Sequence, residues 1–174
     1  MARHDHAVWR LPFVYDKWHV RAHFRPLYLP EILRLTEGGP RLFLDLKGGH
    51  PRLPVAVLEA LRAHNAVDRA AVCGQYWRPL DELHALEPAL DLYYSLGRAE
   101  HVAAFAGRCG SGLRAAGVSI GQWLVTPELV DELQQASLNV FAWTVNEPRA
   151  ASQLAAWGVD GVISDRLDLL ASLP

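Results

Sequence analysis

The chain has 174 residues, 51% of them hydrophobic, with 17 basic against 19 acidic side chains and a formal net charge of −2. That is the size and balance of one globular domain with its own core, and it excludes wholesale disorder and the basic surplus of a nucleic-acid binder. Two cysteines, Cys73 and Cys109, without C-x-x-C spacing exclude a disulfide scaffold and imply a reducing, cytoplasmic setting.

Residues 1–40 are rich in aromatics, His and Pro and carry no clean period. They predict a long loop or small subdomain that ends in a short helix around Pro30–Thr36. The first residues, MARHDHAVWR, place a His-Asp-His cluster at positions 4–6 and lack the apolar middle of a signal peptide. From residue 41 one pattern repeats: a β-rich run, a polar or Pro break, then an amphipathic stretch. The runs are Arg41–Leu46, Val67–Cys73, Leu90–Ser95, Ala115–Ile120, Leu138–Thr144 and Val159–Ser164. They recur roughly every 20–25 residues, the length of a βα unit rather than a hairpin. Several are apolar on both faces, as parallel strands covered on both sides must be.

The stretches between them read as helices. Pro54–His64 puts Val57, Leu58 and Leu61 on one stripe. Thr126-Pro127-Glu128 supplies a capping hydroxyl, a proline for the first helical position and an acid for the first turn, ahead of Leu129, Val130 and Leu133. Asn146-Glu147-Pro148 opens the next helix in similar style, and Gly158 closes it. Strict alternation of strand and helix means an α/β protein with a parallel sheet. One domain is expected overall, with residues 1–40 as a separate segment and 41–174 as the repeats. No apolar run approaches the roughly 18–20 residues of a membrane span.

Three segments carry a resemblance: ARHDHAVWR (2–10), LFLDLKGG (42–49) and VFAWTVNEPRAASQLAAWGVDGVISDRLDLL (140–170). In order and spacing the chain resembles the glycerophosphodiester phosphodiesterase family, metal-dependent TIM barrels that hydrolyse glycerophosphodiesters to an alcohol and glycerol phosphate. The W-T-V-N strand of that family matches Trp143-Thr144-Val145-Asn146, and its G-V-D-G-I-x-T-D-x-P segment matches Gly158 to Asp165, with Leu167 where the family has proline. Its E-x-K strand corresponds to Asp45-Leu46-Lys47, with Asp in place of Glu, and its H-D motif to His4, Asp5 and the following Arg10. The family's H-R on the first strand and E-x-D on the second lie upstream of the H-D motif, and only three residues precede His4. The resemblance therefore implies an incomplete TIM (β/α) barrel of about six βα units, entered just after the second strand.

Cleaving a phosphodiester needs charge neutralisation on phosphate, an activated nucleophile and a proton for the leaving alkoxide. The resemblance makes Asp45 a carboxylate ligand of a divalent metal (Ca or Mg), held weakly with its partner carboxylates missing. It makes His4 the proton donor to the leaving group and Trp143 the residue that packs on the glycerol part of a small-molecule glycerophosphodiester. Asp45 sits inside an apolar run at a strand end, where a carboxylate is either a ligand or expensive to bury; a capping or loop-binding aspartate is the plain alternative. Lys47, two residues on, projects to the same face and can donate to a phosphate oxygen, or simply pair with Asp45. It is one of two lysines beside fifteen arginines, so its presence is not a matter of habit.

Other histidines offer less. His19 and His23 have i, i+4 spacing with nothing nearby to complete a metal set, and His50, His64, His84 and His101 look like surface positions. Gly48-Gly49 and Gly110-Ser111-Gly112 are turn glycines rather than a phosphate loop. Two further readings stand beside hydrolysis. One is a shortened, non-catalytic relative that binds phosphodiesters through Asp45, Lys47 and Trp143. The other is an assembly module whose open sheet edges pair with a second copy or another chain. An upstream in-frame H-R and E-x-D would mark a start placed too late.

Overall fold

The computed structural model describes residues 27–109 and 113–172. Each β-rich run holds most or all of a strand, with β2, β3 and β4 ending one residue beyond it, and each amphipathic stretch forms a helix. The order is α1 (Leu29–Leu35), β1 (Leu42–Leu46), α2 (Leu53–Ala63), β2 (Ala70–Gly74), α3 (Trp77–Leu86), β3 (Asp91–Leu96) and α4 (Ala99–Cys109). It continues with β4 (Gly117–Gly121), a short 3-10 turn at Gln122–Leu124, α5 (Pro127–Gln135), β5 (Asn139–Trp143), α6 (Pro148–Ala156), β6 (Gly161–Val162) and α7 (Leu167–Ser172). Six strands are thus each followed by a helix. The chain divides into two compact units, Met1–Leu90 and Asp91–Pro174.

In the first unit β1 and β2 pair in parallel, from Leu42 opposite Ala70 to Leu46 opposite Gly74. Strand β2 (AAVCG) is buried at every residue, which is why it carries small and β-branched side chains and no charge. Helix α2 turns Leu53, Pro54, Val57, Leu58 and Leu61 inward, the stripe its spacing predicts, and α3 adds Pro79, Leu80 and Leu83. Leu33 of α1 is also buried. The end of α1 is fixed by Arg69, whose guanidinium donates to the carbonyls of Leu33 at 2.7 Å and Thr36 at 2.8 Å. Positive charge meets the carbonyl end of a helix there.

In the second unit β3 to β6 pair in parallel in chain order, with Tyr93 opposite Gly117, Gly117 opposite Asn139 and Phe141 opposite Gly161. Gly117 is required by a close approach: a Cβ there would stand 2.1 Å from the carbonyl oxygen of Asn139 and 2.8 Å from Cε1 of Tyr93. The Tyr93 ring that lies over it stacks on Phe141 at 5.0 Å. Fully buried Tyr94 packs against Phe105 of α4, with the Arg108 guanidinium 5.2 Å from its ring centre.

Helix α5 starts as its sequence predicts. Thr126 Oγ1 accepts from the Leu129 N–H at 3.2 Å, and Pro127 occupies the first turn. Helix α6 starts differently: its N-cap is Glu147, without a side-chain bond to the helix, and the Asn146 side chain is engaged with Ser164 and Asp165, beyond β6. Gly158 ends that helix with φ +83°, a conformation that suits glycine. The carboxylate of Asp160 accepts from the Val140 N–H at 2.7 Å and from Gln134 Nε2 at 3.2 Å, tying the start of β5 to the turn before β6. Asp160 is therefore a structural member of the G-V-D-G stretch. Among the described residues no helix is long and apolar enough to cross a membrane.

Candidate functional site

In the first unit, chemistry gathers at the C-terminal end of β1. Alternation along the strand buries Leu46 and leaves Asp45 and Lys47 exposed on the same side, as their spacing predicts. Their ammonium and carboxylate form an ion pair, each side chain 44% exposed. The burial cost expected for Asp45 does not arise, because β1 is only half covered. At that exposure an ion pair contributes roughly 0–1 kcal/mol, so Lys47 can exchange its partner for another anion at little cost to the fold.

The chain then turns through Gly48, whose φ of +117° admits glycine and little else. Beyond it lies an open cleft of about 220 Å³ lined by Gly49, His50, Tyr76, Trp77, Arg78 and Glu82, among others. His50 Nδ1 accepts from the Arg52 N–H at 3.2 Å, so the neutral ring keeps its proton on Nε2. Arg78 is paired with Glu82 at 2.9 Å.

In the second unit the ends of β4 and β5 carry an aromatic pair. Trp143 closes β5 and meets Trp123 of the 3-10 turn edge to face, with ring centres 5.3 Å apart and planes at 89°. Behind them, Asn146 is the hub of a polar knot. Its Oδ1 accepts from Ser164 Oγ at 2.9 Å and from the Asp165 N–H at 3.0 Å, and its Nδ2 donates to Asp165 Oδ2 at 3.3 Å. Arg166 joins through its N–H, which donates to Ser164 Oγ, and through an ion pair with Asp168. That guanidinium holds the Asp168 carboxyl below the usual carboxylate range. Burial pushes the Cys109 thiol up, as suits an inert cysteine.

Of the residues singled out by sequence, Asp45 and Lys47 share one strand end, and Trp143 stands at a strand end of the other unit. His4 lies outside the described residues, as do Asp5, His6, Arg10, His19, His23 and Gly110-Ser111-Gly112. Of the remaining histidines only His50 is exposed; His64, His84 and His101 are half-buried on helices or their ends. Sequence reasoning assigned Asn146 to helix opening and passed over Gln122 and Trp123. Nothing in the residue pattern marks Trp123, since exposure on a short turn has no periodicity.

A hard divalent cation takes six or more oxygen ligands, usually with several carboxylates. Among the described residues no group of three or more His, Cys, Asp or Glu side chains is placed to hold a metal, and the carboxylate of Asp45 is already compensated by Lys47. The described residues alone do not fit such an ion.

Known proteins match this construction. The glycerophosphoryl diester phosphodiesterase family model covers residues 55–169, well over half of the chain. YhdW of Bacillus subtilis (strain 168), provisionally named a glycerophosphodiester phosphodiesterase, is 40% identical over 42 residues, 24% of this chain and 17% of its own length. A solved structure from Silicibacter pomeroyi DSS-3, provisionally named a glycerophosphoryl diester phosphodiesterase, superposes with a TM-score of 0.72 and 28% identity over 81% of this chain and 53% of that one. An Oleispira antarctica phosphodiesterase, solved with its product sn-glycerol-3-phosphate, gives 0.67 at 24% identity over 81% of this chain and 61% of that one. The chain thus spans about half the length of the first of these structures. With its six parallel strands and alternating helices, it has the fold of an incomplete TIM barrel.

Proposed function

Because the chain belongs to the glycerophosphoryl diester phosphodiesterase family, we propose that it binds a glycerophosphodiester and contributes residues to its hydrolysis to an alcohol and glycerol phosphate. The family match is the observation that carries this reading. Trp143 lies within the matched stretch, whereas His4, Asp45 and Lys47 precede it, so their roles rest on position and chemistry.

In this proposal Lys47 leaves Asp45 to donate to a non-bridging phosphate oxygen, where its charge counts most as negative charge builds in the transition state. The indole of Trp143 covers the C–H face of the glycerol. Water adds to phosphorus, giving up a proton to solvent, as the bond from phosphorus to the alcohol oxygen breaks, and His4, as imidazolium, gives its proton to the departing alkoxide. A divalent cation, calcium or magnesium, would supply charge neutralisation on phosphate; Asp45 would offer it one carboxylate, which by itself would hold it weakly.

A second reading, a non-catalytic phosphodiester-binding relative, is favoured by one observation: the lack of a metal-holding cluster among the described residues. Both readings require the chain to bind sn-glycerol 3-phosphate. Binding by calorimetry, with little or no hydrolysis of glycerophosphocholine in magnesium or calcium, is the expected outcome for the 174-residue chain. No binding overturns the proposal, and robust EDTA-sensitive turnover overturns the weak metal site.

A further inference from the structure

Trp123 is the most exposed tryptophan whose setting is described, at 63%, yet it is held in place from several sides. An exposed indole is normal when it stands alone and informative when the structure spends contacts to fix it. Two contacts of its own and one bond of its neighbour fix this one. Gly121, the last residue of β4, leaves the space into which the indole folds back: a Cβ there would stand 2.6 Å from Trp123 Cζ2. The perpendicular contact with Trp143 sets its tilt. The neighbouring Gln122 donates from Nε2 to the carbonyl of Thr144, joining the turn after β4 to the chain just beyond Trp143. Trp143 has the same kind of floor, since a Cβ on Gly97, just past the end of β3, would stand 3.3 Å from its Cη2. Two consecutive strand ends therefore each present an indole lying over a strand-end glycine, and the two planes meet at a right angle.

Two perpendicular ring planes make a corner. One aliphatic group seated in a corner touches two apolar surfaces at once, whereas a single ring offers one. From this geometry we infer that Trp123 is a second substrate-binding residue, the wall that with Trp143 grips the carbon skeleton of the glycerol moiety. It distinguishes glycerol phosphate from bare phosphate. The inference rests on the phosphodiester reading of the site and adds to it a residue outside the motifs that suggested that reading.

The test uses the full chain and its six indole N–H resonances, with those of Trp123 and Trp143 identified from W123F and W143F. Titration with sn-glycerol 3-phosphate is expected to shift both signals together, and inorganic phosphate to shift neither. Trp123→Ala is expected to weaken glycerol 3-phosphate by about three- to tenfold with phosphate affinity unchanged, and Trp123→Phe to recover most of the loss. If glycerol 3-phosphate moves Trp143 but leaves Trp123, or binds W123A as tightly as the unaltered chain, the role of Trp123 is wrong and the phosphodiester reading stands. If it moves neither signal and shows no binding by calorimetry, both are wrong.

Discussion

The end of β1 and the ends of β4 and β5 are built on opposite principles. At β1 two charged side chains stand nearly half exposed, bonded to each other. At β4 and β5 neutral aromatic rings lie against glycines, and a polar knot around Asn146 fixes the backbone behind them. The first arrangement adds little to stability and leaves a cation able to change partners; the second holds its surface in one shape before any ligand arrives. A mobile charge suits a phosphate oxygen, and a fixed apolar surface suits aliphatic carbon. The difference teaches that exposure means different things at the two places, availability for Lys47 and presentation for Trp123.

This contrast can be broken from the side of the rigid unit. Gly117→Ala places a methyl against the backbone of β5, which cannot give way as a flexible side chain would. A loss of about 3 kcal/mol or more is expected, with amide exchange protection falling in β4 and β5. Gly107→Ala, in the interior of α4 with open space around it, is the control and should be neutral or stabilising. A G117A protein as stable as G107A would show that the rigid surface is not built as described.

A smaller effect sharpens the same point. Asp160→Ala removes the acceptor for the Val140 N–H and for Gln134, at an expected cost of about 1–3 kcal/mol in thermal or urea unfolding. Binding of sn-glycerol 3-phosphate at temperatures where the variant is folded should be unchanged, because Asp160, in the turn before β6, bonds to the start of β5 whereas Trp143 stands at its end. A binding loss without a stability loss would move Asp160 from scaffold to site.

The strands were legible because parallel strands are written as largely apolar runs between breakers, as in LFLDL, AAVCG and NVFAW, although only AAVCG is buried at every residue. The start of α5 was legible because Thr126-Pro127 is local chemistry. Asn146-Glu147-Pro148 does open α6, but the bonds of the Asn146 side chain were not legible because its partners, Ser164 and Asp165, are 18 and 19 residues away, and no local rule reports a bond of that range. Asp45 and Lys47 could be placed on one face from their spacing. Their exposure depends on how β1 is covered, which its own sequence does not state. Trp123 needed the structure most: its meaning comes from Gly121 beneath it and Trp143 beside it.

The most direct measurement is the affinity of sn-glycerol 3-phosphate for the unaltered chain and for Lys47→Met, which keeps the bulk of the stem and removes the charge. Lys47 adds little to folding, so both proteins should unfold at closely similar temperatures. The account predicts at least about a tenfold weaker Kd for K47M, the loss of one charge-assisted hydrogen bond to phosphate. Equal affinity in the two proteins would contradict it, for then the charged end of β1 is not where the phosphate is held.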